Sequence, residues 1–273
     1  MSRLFTENLK IVYGDHEIVE NLSLEIPDGK ITAVIGPNGC GKSTVLKTLS
    51  RILSAKSGAV YLDGKEISKK STKKIAQEMA ILPQSPDAPE GLTVSELVSY
   101  GRFPYQRGIG RRNDKDKDKE VVEWALGVTG IHAFRDKTVD ALSGGQRQKV
   151  WISMALAQET DIILLDEPTT YLDLSHQLEV LELLRYLNEA EKRTIVMVIH
   201  DLNHAARFAD HIVALKDGSI IREGTAEEVM TPEVLRLAFN IDAVIGTDPR
   251  TNKPICSTYN LINSHKVPEV VVI

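Results

Sequence analysis

A glycine-rich loop between an apolar run and a helical pattern constrains the fold more than any other feature. Residues 36–44 read Gly-Pro-Asn-Gly-Cys-Gly-Lys-Ser-Thr and match G-x-x-x-x-G-K-[ST] at every fixed position. Glycines let backbone N–H groups turn toward phosphate oxygens, Lys42 adds a positive charge for the β- and γ-phosphates, and the Ser43 hydroxyl is suited to Mg²⁺. Ile31–Ile35 upstream indicates a buried strand, and 45–52 indicates a helix whose N-terminus faces the anion. The pattern therefore predicts a strand–loop–helix unit that binds ATP or GTP.

A second apolar run ends in two carboxylates. Residues 162–165 are all Ile or Leu, which is typical of a parallel strand buried on both faces, and Asp166 and Glu167 follow directly. Ligands of open α/β sheets bind at the carboxyl ends of strands, so we expect Asp166 to reach a metal and Glu167 to orient or activate water. A third run, 194–199, ends likewise at His200. An acidic cap on a loop is the alternative for the carboxylates, and it stays open at this point.

Composition narrows the class of protein without naming an activity. The 273 residues allow one large domain or a core with a subdomain, and 42% hydrophobic residues suffice for an ordinary core. The net charge of -5 gives no basic excess that would favour nucleic acid as a partner. Cys40 and Cys256 are too few for a disulfide framework. No apolar run approaches the roughly 20 residues that span a bilayer, so work at a membrane would require a separate anchor.

Residues 142–146, Leu-Ser-Gly-Gly-Gln, followed by a helical pattern through Gln158, add a further motif. With it, the sequence resembles the ATP-binding subunits of ABC transporters over about residues 3–240. The resemblance rests on several motifs in family order. They are the phosphate loop at 36–44, the Q-loop glutamine Gln84, the signature at 142–146, the Walker B strand at 161–167, the D-loop aspartate Asp173 and the switch histidine His200.

The resemblance implies the fold class and the domain organisation. The fold is expected to be α/β, a P-loop ABC-type ATPase core with an antiparallel β-subdomain and an inserted α-helical subdomain. The ATPase domain would cover 1–240, with the helical subdomain inserted at about 88–158. Residues 241–273 would form a short C-terminal extension packed on the core.

Local patterns give four further expectations. Residues 58–64 predict a hairpin in the β-subdomain, and the proline-rich stretch 82–89 predicts a hinge. The charged run 111–120 predicts a solvated helix start or a loop. Residues 246–254 predict a turn that joins two short strands.

The same resemblance implies how the site works. Two subunits would pack head to tail, so that each ATP is bound by the phosphate loop of one and the signature of the other. Ser43, Gln84 and Asp166 would hold Mg²⁺. Glu167 would polarise water, His200 would stabilise the γ-phosphate and Gln84 would sense it. The residues expected at the nucleotide are Tyr13, Gly36, Pro37, Asn38, Gly39, Cys40, Gly41, Lys42, Ser43 and Thr44 in cis, and Ser143, Gly144, Gly145 and Gln146 in trans, with Asp173 in the D-loop.

Several single residues have two interpretations. By resemblance Tyr13 would stack on adenine, whereas an aromatic packed within a strand of the β-subdomain is the alternative. Cys40 lies beside a helix N-terminus, which can lower a thiol pKa and favour oxidation, or it is simply a small residue that the loop tolerates. His176, His204 and His211 show no metal-site spacing and are expected at the surface or in packing.

Two local patterns refine the resemblance. Residues 101–105 and 169–178 resemble the ATPases of iron–siderophore, haem and vitamin B12 importers, and the tail at 248–254 is similar to the siderophore group. The implied function is an ATP-hydrolysing subunit that energises a ferric siderophore importer from the cytoplasmic face of the cell membrane as a peripheral protein. ATP and Mg²⁺ would be its cofactors. Its partners would be a second copy of itself, two permease subunits and, indirectly, a solute-binding protein, with no nucleic acid.

Three alternatives stay open at the level of sequence. The first is the ATPase of a haem or vitamin B12 importer. The second is a non-transport ABC ATPase of an assembly or repair complex. The third is a module that binds nucleotide without turnover.

Overall fold

Three β-sheets organise the chain, of which the computed structural model describes residues 2–106 and 115–262. The strands in these ranges are β1 (Leu4–Tyr13), β2 (His16–Leu22), β3 (Glu25–Ile26), β4 (Ile31–Ile35), β5 (Ser57–Leu62), β6 (Lys65–Glu66), β7 (Met79–Leu82), β8 (Ile162–Asp166), β9 (Thr194–Val198), β10 (His211–Lys216), β11 (Ser219–Gly224), β12 (Ile241–Thr247) and β13 (Pro254–Leu261). The α-helices there are α1 (Lys42–Leu49), α2 (Thr72–Glu78), α3 (Val94–Ser99), α4 (Lys115–Val128), α5 (Gly144–Ala157), α6 (Leu174–Glu191), α7 (Leu202–Phe208), α8 (Ala226–Val229) and α9 (Pro232–Phe239).

The central sheet positions the site. Its strand order is β11-β10-β4-β9-β8-β7, and all neighbours are parallel except β11, which runs antiparallel to β10. Strands β4, β8 and β9 are buried at every position, as their continuous apolar runs predict. Because parallel strands end at the same edge, the loops after β4, β8 and β9 meet there. This edge carries the phosphate loop, the two carboxylates and His200.

An antiparallel sheet with the order β2-β1-β5-β6 covers one face of the central sheet, and β3 pairs with β1. Strands β5 and β6 form a hairpin, which confirms the turn predicted at 58–64. Helix α1 lies in the same apolar cluster. It ends at Leu49, whereas the sequence pattern predicted helix up to Ile52. Arg51 adopts a left-handed φ of 61°, which breaks the helical path, and Ile52 is exposed.

Helices α3, α4 and α5 pack on one another and on the other face of the central sheet. Within the described part of 88–158 the only β-pairing is an isolated bridge between Thr93 and Thr138. The helical subdomain is expected in this stretch, and its boundaries stay predictions. In the charged run, 111–114 lies outside the described residues, and 115–120 forms the mostly exposed start of α4. No helix in the described ranges is long and apolar enough to cross a membrane.

A hairpin of β12 and β13 packs against α7 and confirms the predicted turn between two short strands. The Asn203 side chain donates to the Cys256 carbonyl at 3.2 Å and accepts from the Cys256 N–H at 2.8 Å. At the other end of α7, Lys253 Nζ donates to the carbonyls of Arg207 and Ala209 at 3.1 and 3.0 Å. The hairpin therefore holds both ends of the helix that follows His200.

Candidate functional site

The phosphate loop is tightly folded between β4 and α1. The side chain of Lys42 is buried, and its Nζ donates to the carbonyls of Gly36 and Pro37 at 2.9 Å each. A Cβ at Gly36 would lie only 2.3 Å from the Leu215 carbonyl oxygen, so glycine is required there by close approach of the backbone. The loop thus holds the Lys42 ammonium beside the backbone that is expected to surround phosphate.

A buried carboxylate lies beside the first hydroxyl of α1. Ser43 Oγ donates to Asp166 Oδ1 at 2.7 Å, and Asp166 is only 2% exposed. Its second oxygen, Oδ2, is buried and has no hydrogen-bond partner. Burial raises the pKa of Asp166 above its usual value, and the Ser43 hydrogen bond offsets this only in part. A hydroxyl with an unpaired buried carboxylate oxygen is a donor set that Mg²⁺ prefers, so these two residues fit a magnesium site.

Glu167 is held from three sides. His200 Nε2 lies 2.6 Å from its Oε1, and its Oε2 accepts from Gln84 Nε2 at 2.7 Å and from Thr170 Oγ1 at 2.9 Å. Burial acts to raise the pKa of Glu167, but these hydrogen bonds outweigh it and hold the pKa below its usual value. Glu167 also adopts a left-handed φ of 55°, a strained conformation that clusters at functional sites. The carboxylate is therefore ionised at neutral pH and fixed in direction.

Lys42, Ser43 and Glu167 open onto one cavity of about 640 Å³, a size ordinary for a small-molecule site, whereas Asp166 lies buried behind Ser43 and does not line it. Nine of the residues that line it were predicted, namely Asn38, Gly39, Gly41, Lys42, Ser43, Thr44, Gln84, Glu167 and His200. Ile18, Thr170 and Tyr171 also line it, and sequence reasoning missed them. A signal existed for Thr170, a hydroxyl three residues after Glu167 in the same loop. None existed for Ile18, which comes from another sheet.

Two of the residues with alternative interpretations can be placed. Tyr13 is 69% exposed at the end of β1, so it is not packed inside the β-subdomain. It does not line the cavity, and its stacking on adenine stays a prediction. Cys40 is buried, and burial raises the pKa of its thiol, which is the opposite of what an easily oxidised thiol requires.

The signature and D-loop residues lie outside the cavity of their own subunit. Ser143 caps α5, because its hydroxyl accepts from Gln146 N–H at 3.3 Å and its own N–H donates to Gln146 Oε1 at 3.1 Å. Gly144 and Gly145 form the first turn of that helix. Asp173 caps α6, and hydrogen bonds from the His176 backbone, the His176 ring and the Ser175 hydroxyl lower its pKa to about 2.

Comparison with known proteins identifies the family. The model of the family described as ABC transporter matches residues 19–170, which is more than half of the chain. The chain belongs to the ABC transporter family. Over 97% of its length the cassette is 64% identical to the iron(3+)-hydroxamate import ATP-binding protein FhuC of Bacillus subtilis (strain 168), and the match covers 98% of that protein. It is 46% identical to the ferric enterobactin transport ATP-binding protein FepC of Escherichia coli (strain K12), with 93% of each chain covered.

Solved structures agree with this assignment. The dimeric, post-hydrolysis structure of the ATP-binding cassette MJ0796 bound to ADP and Pi matches the cassette with a TM-score of 0.71 at 29% identity. The match covers 81% of this chain and 98% of that one. The predicted fold class and the predicted ATPase are thereby confirmed, and the chain binds ATP. The roles of individual residues stay predictions.

Proposed function

We propose that the cassette hydrolyses ATP to energise an importer of ferric siderophores. The observation that carries the proposal is 64% identity over 97% of the chain to an iron(3+)-hydroxamate import ATP-binding protein. The match includes nearly the whole chain and therefore more than the motifs that all ABC ATPases share. The ferric enterobactin relative at 46% identity supports the same substrate class. These relatives support the ferric siderophore assignment and not the haem or vitamin B12 alternative.

The cassette would work as two copies on two permease subunits, and a solute-binding protein would deliver the cargo to that permease. The relatives are named import ATP-binding proteins, and the MJ0796 cassette forms a dimer. A peripheral location at the cytoplasmic face of the membrane follows from such a role. Tight dimers form when ATP joins the two copies, and closure pulls on the permease.

Within the site, Mg²⁺ would be held by Ser43, Asp166 and Gln84. When bound, the ion neutralises charge on the β- and γ-phosphate oxygens. Lys42 supplies further positive charge to the same oxygens. The unpaired Oδ2 of Asp166 supports this assignment most directly. Gln84 donates to Glu167 through its Nε2, which leaves its carbonyl oxygen as the atom that would face a cation.

Glu167 would orient and polarise the attacking water. Its low pKa makes it a weak base, so positioning of the water contributes more than early proton removal. Hydrogen bonds from His200, Gln84 and Thr170 occupy both oxygens. Thr170 holds one carboxylate oxygen and His200 the other, and both would keep the carboxylate in place while it orients the water. His200 would then also reach the γ-phosphate.

The signature would act on the nucleotide of the other copy. Ser143, Gly144, Gly145 and Gln146 lie outside their own cavity, and they form the N-terminus of a 14-residue helix. A helix N-terminus presents N–H groups and a positive dipole end to an anion. Asp173 would lie at the junction of the two copies.

Uptake measurements test the proposal in the organism that carries the gene. The gene is deleted, and the strain is supplied with either the native chain or Lys42→Ala, at equal protein levels. Uptake of radiolabelled ferric hydroxamate, haem and vitamin B12 is then compared. We expect only ferric siderophore uptake to be lost on deletion and restored by the native chain alone.

Other outcomes would contradict the assignment. Loss of haem or vitamin B12 uptake with ferric siderophore uptake intact would select the competing importer. No change in any uptake, together with purification of the cassette on a soluble complex, would make it a non-transport ATPase.

A further inference from the structure

The first turns of α5 and α6 touch at a glycine. Gly145 is buried, and a Cβ there would lie 2.5 Å from Cδ2, 2.8 Å from Cγ and 3.0 Å from Nε2 of His176. Real Cβ atoms do not approach a ring so closely, so the His176 ring occupies the space that any larger residue at 145 would need. The signature segment is therefore in direct contact with the helix that follows the D-loop.

The opposite edge of the same ring binds the D-loop aspartate. His176 Nδ1 lies 2.7 Å from Asp173 Oδ1, which also accepts from the His176 backbone N–H at 2.9 Å and the Ser175 hydroxyl at 2.9 Å. The bond from the His176 backbone N–H caps α6 and holds its start in one conformation. One imidazole thus joins Asp173 on one side to Gly145 on the other.

A second link lies one helical turn further along both helices. Lys149 Nζ is 2.7 Å from Glu179 Oε2. Lys149 follows Gly145 by four residues and Glu179 follows His176 by three, so the two links are on the same faces of α5 and α6. Two successive contacts oppose rotation of one helix against the other more than a single contact would, and the buried contact at Gly145 contributes the larger part because the ion pair is partly exposed. A shift of the signature segment relative to the D-loop would therefore disturb the contact at Gly145 first.

From these contacts we infer that His176 is a positioning residue that couples the signature segment to the D-loop within one subunit. The inference rests on the proposed head-to-tail dimer, in which both segments face the partner's nucleotide. His176 would set the position at which Ser143 and Gly145 meet that nucleotide, without touching it. An imidazole ring can link the two segments because one edge forms a hydrogen bond with Asp173 while the opposite edge packs against Gly145.

Kinetics of single variants test the coupling in the complex of cassette and permease. His176→Ala removes the ring, and His176→Asn keeps a nitrogen near the Nδ1 position. His132→Ala is the matched control, because His132 is an exposed histidine whose Nε2 lies 2.8 Å from a carboxylate oxygen of Glu123, away from all motifs. We expect kcat of His176→Ala to fall about tenfold with an unchanged KM for ATP and unchanged ATP binding to the monomer.

The conservative variant and the control decide how that result is interpreted. His176→Asn should recover most of the lost kcat, and His132→Ala should match the native protein. Native kcat in His176→Ala would overturn the inference. Loss of monomer ATP binding in both His176 variants would also overturn it, because it would show a general structural role.

A double variant tests the glycine contact itself. Gly145→Ala places a methyl group in the His176 ring, so hydrolysis should fall strongly. Gly145→Ala with His176→Ala removes the obstruction, and kcat should rise at least severalfold above that of Gly145→Ala alone. A double variant no more active than Gly145→Ala would overturn the inference, since the glycine would then serve the nucleotide only.

The inference and the proposed function can fail separately. If Ser143→Arg left hydrolysis intact, the head-to-tail arrangement would be wrong, whatever the outcome at His176. If Ser143→Arg abolished hydrolysis while Gly145→Ala showed no rescue, the dimer would stand and the coupling by His176 would fall.

Discussion

Replacing Glu167 by Gln separates nucleotide binding from chemistry. The amide keeps the size of the side chain but removes the carboxylate charge that His200, Gln84 and Thr170 recognise within 2.9 Å. Loss of the carboxylate that positions and polarises the water should cost about 10²–10⁴-fold in rate, or about 2.7–5.5 kcal/mol in the activation barrier. Charge-assisted hydrogen bonds become neutral ones, so we also expect about 1–3 kcal/mol lower stability. The phosphate loop is untouched, and ATP binding should persist.

Three measurements check this prediction. Phosphate release by the complex with its permease should fall by the stated factor, calorimetry should show ATP affinity within about threefold of native, and size exclusion with ATP should show a trapped dimer. Glu167→Asp is the matched control, because it keeps the charge and shortens the side chain. Hydrolysis near the native rate in Glu167→Gln would refute the catalytic role and move it toward His200.

Three further predictions concern other parts of the molecule. Lys42→Ala should weaken ATP binding about tenfold to a hundredfold, because it removes a charge-assisted contact worth about 1.5–3 kcal/mol. Mixing it with Ser143→Arg gives a dimer in which one site carries both changes and the other carries neither, so partial hydrolysis should return if a single site can turn over. A folded Ser143→Arg protein that loses ATP binding as a monomer would contradict contact in trans. Asp173→Asn keeps the cap of α6 but removes a carboxylate whose pKa is lowered from 3.8 to about 2. The native protein should therefore unfold at a higher urea concentration than the variant above pH 3.8, and this difference should vanish as the pH falls toward 2. An advantage that persists at the acid end would contradict the assigned cause. Asn203→Ala removes both hydrogen bonds to the Cys256 backbone and should lower the free energy of unfolding by about 1–3 kcal/mol. A free energy of unfolding equal to that of the native protein in chemical denaturation would count against a structural role for the C-terminal hairpin.

Sequence reasoning predicted those parts of the site that depend on local pattern. The phosphate loop, the carboxylates after β8 and the histidine after β9 follow from short motifs at the ends of apolar runs, and the parallel sheet brings them together. It missed Thr170 and Ile18, and it treated His176 as an ordinary surface or packing residue. Thr170 lies in the same loop as Glu167 and could have been found, whereas Ile18 and the contact of His176 with Gly145 join separate segments whose relative placement neither segment encodes alone.

What the sequence by itself determined is the buried strands that precede the motifs, the order of the motifs and the edge at which they meet. Buried parallel strands need continuous apolar runs, and phosphate loops need glycine, lysine and a hydroxyl at set spacing, so both are visible locally. Only the tertiary structure decided that Gln84 and His200 both contact the Glu167 carboxylate, and that the His176 ring fills the space beside Gly145. Such contacts depend on sheet register, helix rotation and side-chain rotamers, which are set by the packing of the whole chain.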